Sequence, residues 1–394
     1  MDVAIIGCGI SGLTIAYELL KKEKGYKVTL FESSDRVGGR MRTVRLPDGR
    51  KYECGAGRIQ ETHSRVIALV KELGLTLTEP KAGKTWFINN EGNIIETSPA
   101  TPILAKLVEK MKPFEQTQSL IDHPLNYFMN RYLTVEERRL LKESIGYEFI
   151  LHKSNAKGGL DELSVLGGEF MSVVEGIDAI TTRLYQEILA AGGKIHLGEE
   201  VLTVHDKTVI TTKNTRGKKF DRVVITTPIP ITRKILGNNN NNNQLLNTVV
   251  GIPLLRIYAS YKTKWWPDRR VITPLPNQQI IPISDTLIMV AYAGGDTARM
   301  WNGLSREETE KCITRLLRYD FPNSPDPEWI DVCDWEVGVH AWRPGADQDL
   351  LLPQFIEYAS GIHIVGEVAT HTNGWMEGAL ESVERFMSSL ESRN

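Results

Sequence analysis

Three glycines, Gly7, Gly9 and Gly12, stand between an apolar run and an amphipathic stretch, and they constrain this chain more than any other feature. Residues 2 to 6 read as a buried strand and 26 to 32 as a second one. Between them, residues 11 to 24 read as a helix with apolar positions at Leu13, Ala16, Leu19 and Leu20. A βαβ context is what makes GxGxxG a dinucleotide loop rather than a set of turn glycines. Gly7 permits the tight turn, Gly9 lets a pyrophosphate approach the backbone, and Gly12 lets the helix pack on the strand. Ile10 and Ser11 open the helix, whose free N–H groups and partial positive charge suit a phosphate. Glu32 follows Gly12 by 20 residues, at the end of the second strand with Ser33 beside it. A carboxylate there accepts hydrogen bonds from ribose hydroxyls and disfavours a 2′-phosphate, so NADP fits poorly.

The run Asp35-Arg36-Val37-Gly38-Gly39-Arg40 narrows the dinucleotide to FAD. An NAD enzyme has no need of a second glycine turn just after the acid. FAD lies extended, and its far phosphate and isoalloxazine reach such a loop, where Arg40 supplies positive charge.

With these motifs the chain resembles the flavin-dependent amine oxidase family of monoamine, polyamine and L-amino-acid oxidases. The resemblance is strong over residues 1 to 60 and 363 to 387, and weaker but colinear between them. Gly55-Ala56-Gly57-Arg58 is similar to the family's next flavin-contacting turn. Glu200-Val201 and Asp221 to Pro228, with Thr227, resemble its middle segment, which implies that Val201 meets the adenine through its backbone. The final motif is matched by His363 to Glu367 and Gly374 to Ser382. It implies that Gly366 and Glu367 hold the ribityl and pyrophosphate portion, and that the helix opening near Met376 aims its N-terminus at the flavin pyrimidine ring.

The resemblance also implies chemistry. No second GxGxxG occurs to admit a nicotinamide, so electrons enter from an organic amine and leave to O2. A hydride passes from the carbon bearing a neutral amine, and the products are an imine and hydrogen peroxide. Trp375, beside Gly374, occupies the place of the family's aromatic wall. Counting back from Pro344-Gly345 without gaps, the usual second aromatic falls on Gly338 and the flavin-linking cysteine on Val337, so FAD is expected to be non-covalent. His340 or Trp342 is then the candidate for the second wall. Arg256 falls where the family carries a lysine that promotes the oxygen reaction, and a guanidinium is planar, bulkier and always charged. Two other readings share the N-terminal signature: a protoporphyrinogen oxidase or carotenoid desaturase type of flavoenzyme, and a flavin-binding protein that has lost turnover.

At 394 residues the chain exceeds the roughly 250–300 over which single cores stop growing. We expect an α/β fold in which a Rossmann-like FAD-binding domain (1–80, 165–250 and 356–394) is interleaved with a mixed α+β substrate domain (81–164 and 251–355). Further helices are expected at 63–73, 103–112, 134–144, 176–191 and 305–318. Thr134 with Glu137 and Ser305 with Glu308 form capping boxes. Strands are expected at 194–204, 208–212, 220–226, 252–262, 286–293 and 330–337. The six asparagines 238 to 243 read as a surface loop.

With 47 basic and 49 acidic side chains the formal charge is −2, and Lys21-Lys22 and Lys218-Lys219 are short basic runs, so no nucleic-acid partner is expected. Cys8, Cys54, Cys312 and Cys333 lack metal-ligand or CxxC spacing, so neither a metal site nor a disulfide framework is expected. Residues 3 to 16 lack the basic region of a signal peptide. No apolar run is long enough to span a membrane, and the chain stops at Arg393-Asn394 soon after its last amphipathic helix. The expectation is a soluble, intracellular, cytoplasmic protein with reduced thiols.

Overall fold

A computed structural model describes residues 1–22, 25–79, 81–82, 85–164, 169–237 and 243–391. The N-terminal apolar run forms β1 (Asp2–Ile6), the glycine loop turns it into α1 (Ile10–Lys21), and the chain returns as β2 (Lys27–Phe31). β1 is the middle strand of a five-stranded parallel sheet, ordered Lys194–His196, β2, β1, Arg222–Ile225, Ile362–Ile364. Both faces of this sheet are covered, which is why β1 reads as an unbroken apolar run. Val3 and Ile5 point into a layer with α1, Asp178–Ala190 and Met376–Glu391. Ala4 and Ile6 point into the opposite layer, with Val201, Val209, Ile229 and Phe355.

A parallel sheet brings the C-terminal ends of its strands to one edge, where ligands of open α/β sheets bind. β1 ends at the glycine loop and β2 at Glu32. Arg222–Ile225 ends at Thr226-Thr227, and Ile362–Ile364 ends just before Gly366-Glu367. Four motifs separated by up to 360 positions (367 minus 7) are thereby neighbours.

The second sheet has seven strands, ordered Trp329–Trp342, Val249–Ser260, Leu287–Gly294, Gln279–Pro282, Arg270–Ile272, Thr85–Ile88, Ile94–Ile95. One face packs on the helices Ala100–Met111, Leu125–Tyr132, Val135–Ile145 and Ala156–Ser164. The other packs on Asp296–Asn302 and Arg306–Asp320. The molecule is of the α/β class.

Both capping boxes form: Thr134 and Glu137 exchange side-chain to backbone bonds, as do Ser305 and Glu308. Helices also stand at Ser64–Glu72, Ala100–Met111, Val135–Ile145, Asp178–Ala190 and Arg306–Asp320. The expected strand at 194–204 is instead two strands in two sheets, Lys194–His196 and Val201–His205. Gly198 breaks it with φ +59°, and its N–H donates to the Ser34 carbonyl. Helix Ala156–Ser164 was not foreseen, because Gly158-Gly159 is poor helix sequence. Tertiary packing overrides that propensity: a side chain at Gly159 would lie 3.2 Å from the Ile150 carbonyl.

The expectation of four reduced thiols is corrected. Cys54 and Cys333 form a disulfide with Cα atoms 5.3 Å apart across 279 residues. Cys54 follows strand Lys51–Glu53 and Cys333 lies within Trp329–Trp342, so only tertiary folding joins them and no spacing signal existed. Cys8 and Cys312 are free. With that disulfide in place, the cysteines no longer point to a reducing, intracellular compartment. Among the described residues no helix is long and apolar enough to cross a membrane. Asn238 to Asn242 of the asparagine run lie outside the described residues, as does the end of the expected helix 11–24.

Candidate functional site

The site begins where the two glycine turns touch. Gly9 and Gly38 form an isolated parallel bridge, and the Gly38 N–H donates to the Cys8 carbonyl at 2.8 Å. Gly7 (φ +101°) and Gly38 (φ +108°) adopt backbone open only to glycine, while Gly12 is forced by contact: a Cβ there would lie 2.1 Å from the Gly7 carbonyl oxygen. At Gly9 nothing comes within 4 Å of that position. The adjoining helix α1 has no side-chain cap. Bare first-turn N–H groups next to open space form the cradle a pyrophosphate requires, so the residues fit the phosphates of a dinucleotide.

Glu32 takes the Cys8 N–H at 2.9 Å on one oxygen and the Ser34 N–H and hydroxyl at 3.0 and 2.9 Å on the other. Ser33 lies beside it, its hydroxyl at 3.4 Å. An ionised carboxylate has about four acceptor positions, which leaves Glu32 capacity for a ribose hydroxyl. Arg36 braces the second glycine turn by donating to the Val37 and Gly39 carbonyls. The next turn, Gly55 to Arg58, is packed under it, with the Ala56 N–H on the Arg40 carbonyl at 2.9 Å. A side chain at Gly55 would collide with that carbonyl, and one at Gly57 with Glu53.

From the far end of the sequence, Gly366 (φ +132°) approaches the Ser11 side chain, and its N–H donates to Ser382. Glu367 is filled by protein donors. His340 offers its N–H at 2.8 Å and Nδ1 at 2.5 Å, Arg40 a guanidinium nitrogen at 2.8 Å, and Gly374 its N–H at 2.7 Å. Because His340 Nε2 accepts from the Ile229 N–H at 3.1 Å, the imidazole proton is assigned to Nδ1. Burial acts to raise the Glu367 carboxyl, but His340 and Arg40 outweigh it and hold it well below the usual carboxylate range. Glu367 is therefore a fixed anion that locks the loop before Trp375, and the positive charge foreseen on Arg40 is directed at it. Any contact of Glu367 with a ligand is left to its backbone.

A cavity of about 100 Å³ opens between the sheets, lined among others by Arg58, Tyr147, Glu162, Arg256, Tyr292 and Trp375. Ala56, Gly57, Val339, Asn373, Gly374 and Met376 line it as well. Trp375 stacks on Phe170 with ring centres 6.3 Å apart and meets the edge of His63 at 4.9 Å. The Arg58 guanidinium lies over Phe170 at 4.9 Å and donates to the Tyr147 hydroxyl at 2.9 Å. Arg256 lies over Tyr292 at 4.6 Å and donates to the Glu53 carbonyl at 2.7 Å. Neither arginine has a carboxylate partner within 4.0 Å among the described residues. Burial acts to raise the Tyr147 phenol, but Arg58 and Arg270 outweigh it and bring it down to about 8.

Of the candidates from sequence, the structure brings Arg58, Arg256, Trp375, Ala56, Gly57, Gly374 and Met376 to this cavity. Gly7, Gly9, Ile10, Ser11, Gly12, Glu32, Gly38, Gly39 and Gly366 gather at the adjoining sheet edge. Val201 begins the strand Val201–His205 on the layer behind, and Thr227 shares a hydrogen bond with Thr232 at 2.9 Å. Trp342 is a correction: it is 1% exposed in the core beside Phe355, and its indole N–H donates to the Thr370 carbonyl. His340 likewise holds Glu367 from behind and is no wall. Tyr147, Tyr292 and Glu162 were missed. Their sequence signal is slight: Tyr292 alone carries a polar tip in the strand Leu287–Gly294.

The family model described as flavin containing amine oxidoreductase matches residues 10–164 and 121–385. "L-amino acid oxidase Lm29" of Lachesis muta is 25% identical, spanning 96% of this chain and 85% of that protein. "Putative L-amino-acid oxidase YobN" of Bacillus subtilis is 24% identical, spanning 96% and 92%. Among solved structures, wild-type putrescine oxidase bound to putrescine superposes with a TM-score of 0.79 at 19% identity, covering 99% of each chain. That likeness extends the fold match to the whole chain.

Proposed function

Because this chain belongs to the flavin containing amine oxidoreductases and is an FAD oxidoreductase, we propose that it oxidises α-amino acids. A hydride would leave the carbon bearing the nitrogen and the electrons would pass to O2, giving an imine and hydrogen peroxide. The observation that carries the substrate class is the pair Arg58 and Arg256, two guanidinium groups lining one cavity, neither with a carboxylate within 4.0 Å among the described residues. A planar guanidinium matches a carboxylate with two parallel bonds, and a substrate carboxylate supplies the missing anion. The relatives named as L-amino-acid oxidases agree with this reading.

Bound flavin supplies the hydride acceptance and the electron transfer to dioxygen. The protein's part is orientation. Gly7, Gly9 and Gly12 would cradle the pyrophosphate, Glu32 the ribose, and Val201 the adenine. The backbone of Gly366 and Glu367 would hold the ribityl chain, and the N-terminus of Met376–Glu391 would favour negative charge on the ring. FAD would be held non-covalently, since Val337 stands where the gap-free count puts the flavin-linking cysteine. Arg58 with Tyr292 would grip the carboxylate, and Trp375 against Phe170 forms the wall that fixes the amine-bearing carbon. Arg256, held by Glu53 and Tyr292, keeps a permanent positive charge beside the site where oxygen is reduced. FAD binding is assigned to 1–80, 165–250 and 356–394, and substrate binding to 81–164 and 251–355. The charged lining argues against an apolar desaturase substrate.

Anaerobic mixing of the yellow protein with a panel of L-amino acids, putrescine and simple monoamines tests this. Amino acids should bleach the flavin and amines lacking a carboxylate should not, with hydrogen peroxide appearing when air is readmitted. Arg58→Met should raise KM for the amino acid about 10- to 100-fold, the worth of a charge-assisted bond of about 1.5–3 kcal/mol. Bleaching by simple amines alone, with Arg58→Met neutral, refutes the carboxylate grip.

A further inference from the structure

An amino acid gripped by Arg58 leaves one ionisable group of the cavity without a task. Glu162, on helix Ala156–Ser164, lines the same cavity as Arg58, Arg256, Trp375 and Asn373. Its carboxyl makes no hydrogen bond or ion pair among the described residues. Glu162 is half-buried, and a carboxyl drawn partly out of water with no protein partner is open to a cationic partner from outside. The charged groups that act on it are Asp161 on its own helix and Glu367 from the loop before Trp375, both negative. Glu367 is itself committed to His340 and Arg40, and Asp161 is answered by Lys157 and His371. Arg58 and Arg256 line the cavity too, but neither lies within 4.0 Å of the Glu162 carboxyl. The cavity thus has an anion-binding part and a separate cation-binding part.

We propose that Glu162 receives the substrate ammonium and takes the proton it must lose before a hydride can leave the adjacent carbon. One N–H bond breaks, its electron pair stays on nitrogen as the amine lone pair, and an O–H bond forms on Glu162. The step is charge-neutral within the pair and needs no oxidant. This rests on the amine-oxidation reading but not on the carboxylate. Withdrawal from water first, then Glu367 and Asp161, push the empty carboxyl up to about 8, close to the pH at which general bases work best. At neutral pH the empty group is protonated, so arrival of the ammonium expels a proton to solvent, after which the pair shares one.

The test uses FAD-loaded protein, anaerobic stopped-flow reduction, and the variants Glu162→Gln and Glu162→Asp. With Glu162→Gln, the limiting reduction rate at pH 7 should fall about 10²- to 10⁴-fold. It should then climb with pH toward the free amine's own pKa, while Glu162→Asp regains part of the rate. Calorimetry with 2-aminoisobutyrate, which has no α-hydrogen to lose, should show close to one proton released per site at pH 7, and none in Glu162→Gln. Three results overturn the proposal: a loss equal at every pH, a loss confined to lysine and arginine as substrates, or unchanged proton release. If only carboxylate-free amines reduce the wild type, the amino-acid reading fails alone and the same Glu162 comparison is run with that amine.

Discussion

Gly9→Ala and Gly12→Ala should separate the two jobs of one loop. At Gly9 the built Cβ has no heavy atom within 4 Å, and the backbone there (φ −76°, ψ 179°) suits any residue. The only intramolecular cost is the preference of an N-cap for glycine over alanine, about 0.5–1 kcal/mol. At Gly12 the Cβ would lie 2.1 Å from the Gly7 carbonyl oxygen, 3.0 Å from Thr226 Oγ1 and 3.2 Å from Ile5 Cγ2. The first contact is with backbone that no rotamer change relieves, so the cost reaches or exceeds the upper end of overpacking, about 3 kcal/mol. In a cooperative unit of 150–250 residues that is a fall in Tm of roughly 6–12 °C. Flavin-free protein should therefore unfold near the wild-type midpoint for Gly9→Ala and well below it for Gly12→Ala. FAD titration reverses the emphasis: a methyl in the pyrophosphate approach costs about 3 kcal/mol of packing there, so Gly9→Ala should bind about 100-fold more weakly. Wild-type FAD affinity in Gly9→Ala, or wild-type stability in Gly12→Ala, would refute the division.

Trp375→Ala should retain FAD and lose mainly the limiting rate of reduction, because the proposed substrate wall is this ring, backed by Phe170. A change in KM alone would make it a binding surface only. A pH effect is expected at Glu381, where burial acts to raise the carboxyl but bonds from His371 and Thr370, with Arg385, bring it from 4.5 to about 2. A depressed carboxyl stabilises above its unfolded pKa and loses that contribution as pH falls toward 2. His371, raised above 6.5 chiefly by its bond to Glu381, stabilises below 6.5 and loses that as pH rises through its folded pKa. Denaturant unfolding of Glu381→Gln should thus show its largest deficit between pH 4.5 and 6.5, and a deficit flat in pH would be contrary. Thiol alkylation of unreduced, unfolded protein should label Cys8 and Cys312 and leave Cys54 and Cys333 unlabelled, whereas four labelled thiols would exclude the disulfide.

The residues legible in the sequence are those whose work is local. A glycine is read from the strand before it and the helix after it, Glu32 from its distance along one βαβ unit, and Thr134 with Glu137 from a three-residue spacing. Each is decided within a turn or two of chain, where periodicity and capping chemistry hold. The chemistry of the cavity is not local. Arg58, Tyr147, Glu162, Arg256 and Tyr292 come from five separate segments, Arg58 and Tyr147 from connections, Glu162 from a helix, and Arg256 and Tyr292 from strands. What singles them out is that the fold turns them to one cavity and leaves charges there unpaired, which is a property of the assembled sheets.

The misplaced wall aromatic shows where local counting stops. Counting back from Pro344-Gly345 put the wall aromatic on Gly338, which has no ring, and the candidates taken in its place, His340 and Trp342, stand at steps of two from it on one face of the strand Trp329–Trp342. Val339, between them, is the residue that lines the cavity. His340 and Trp342 point the other way, one into the Glu367 carboxylate and the other into the core beside Phe355. Parity alone therefore made them a pair that must stand or fall together. The partner strand Val249–Ser260 adds a register shift between Ile252 and Leu254 against Trp329–Trp342, so a count without gaps cannot say which parity faces inward. Besides Trp375, the aromatic side chains that line the cavity are Tyr147, Phe149 and Tyr292. Tyr292 stands in the strand next to Arg256, paired with it in register, and that pairing places the ring under the guanidinium. A cross-strand partner of the one unusual arginine was the signal that could have found it.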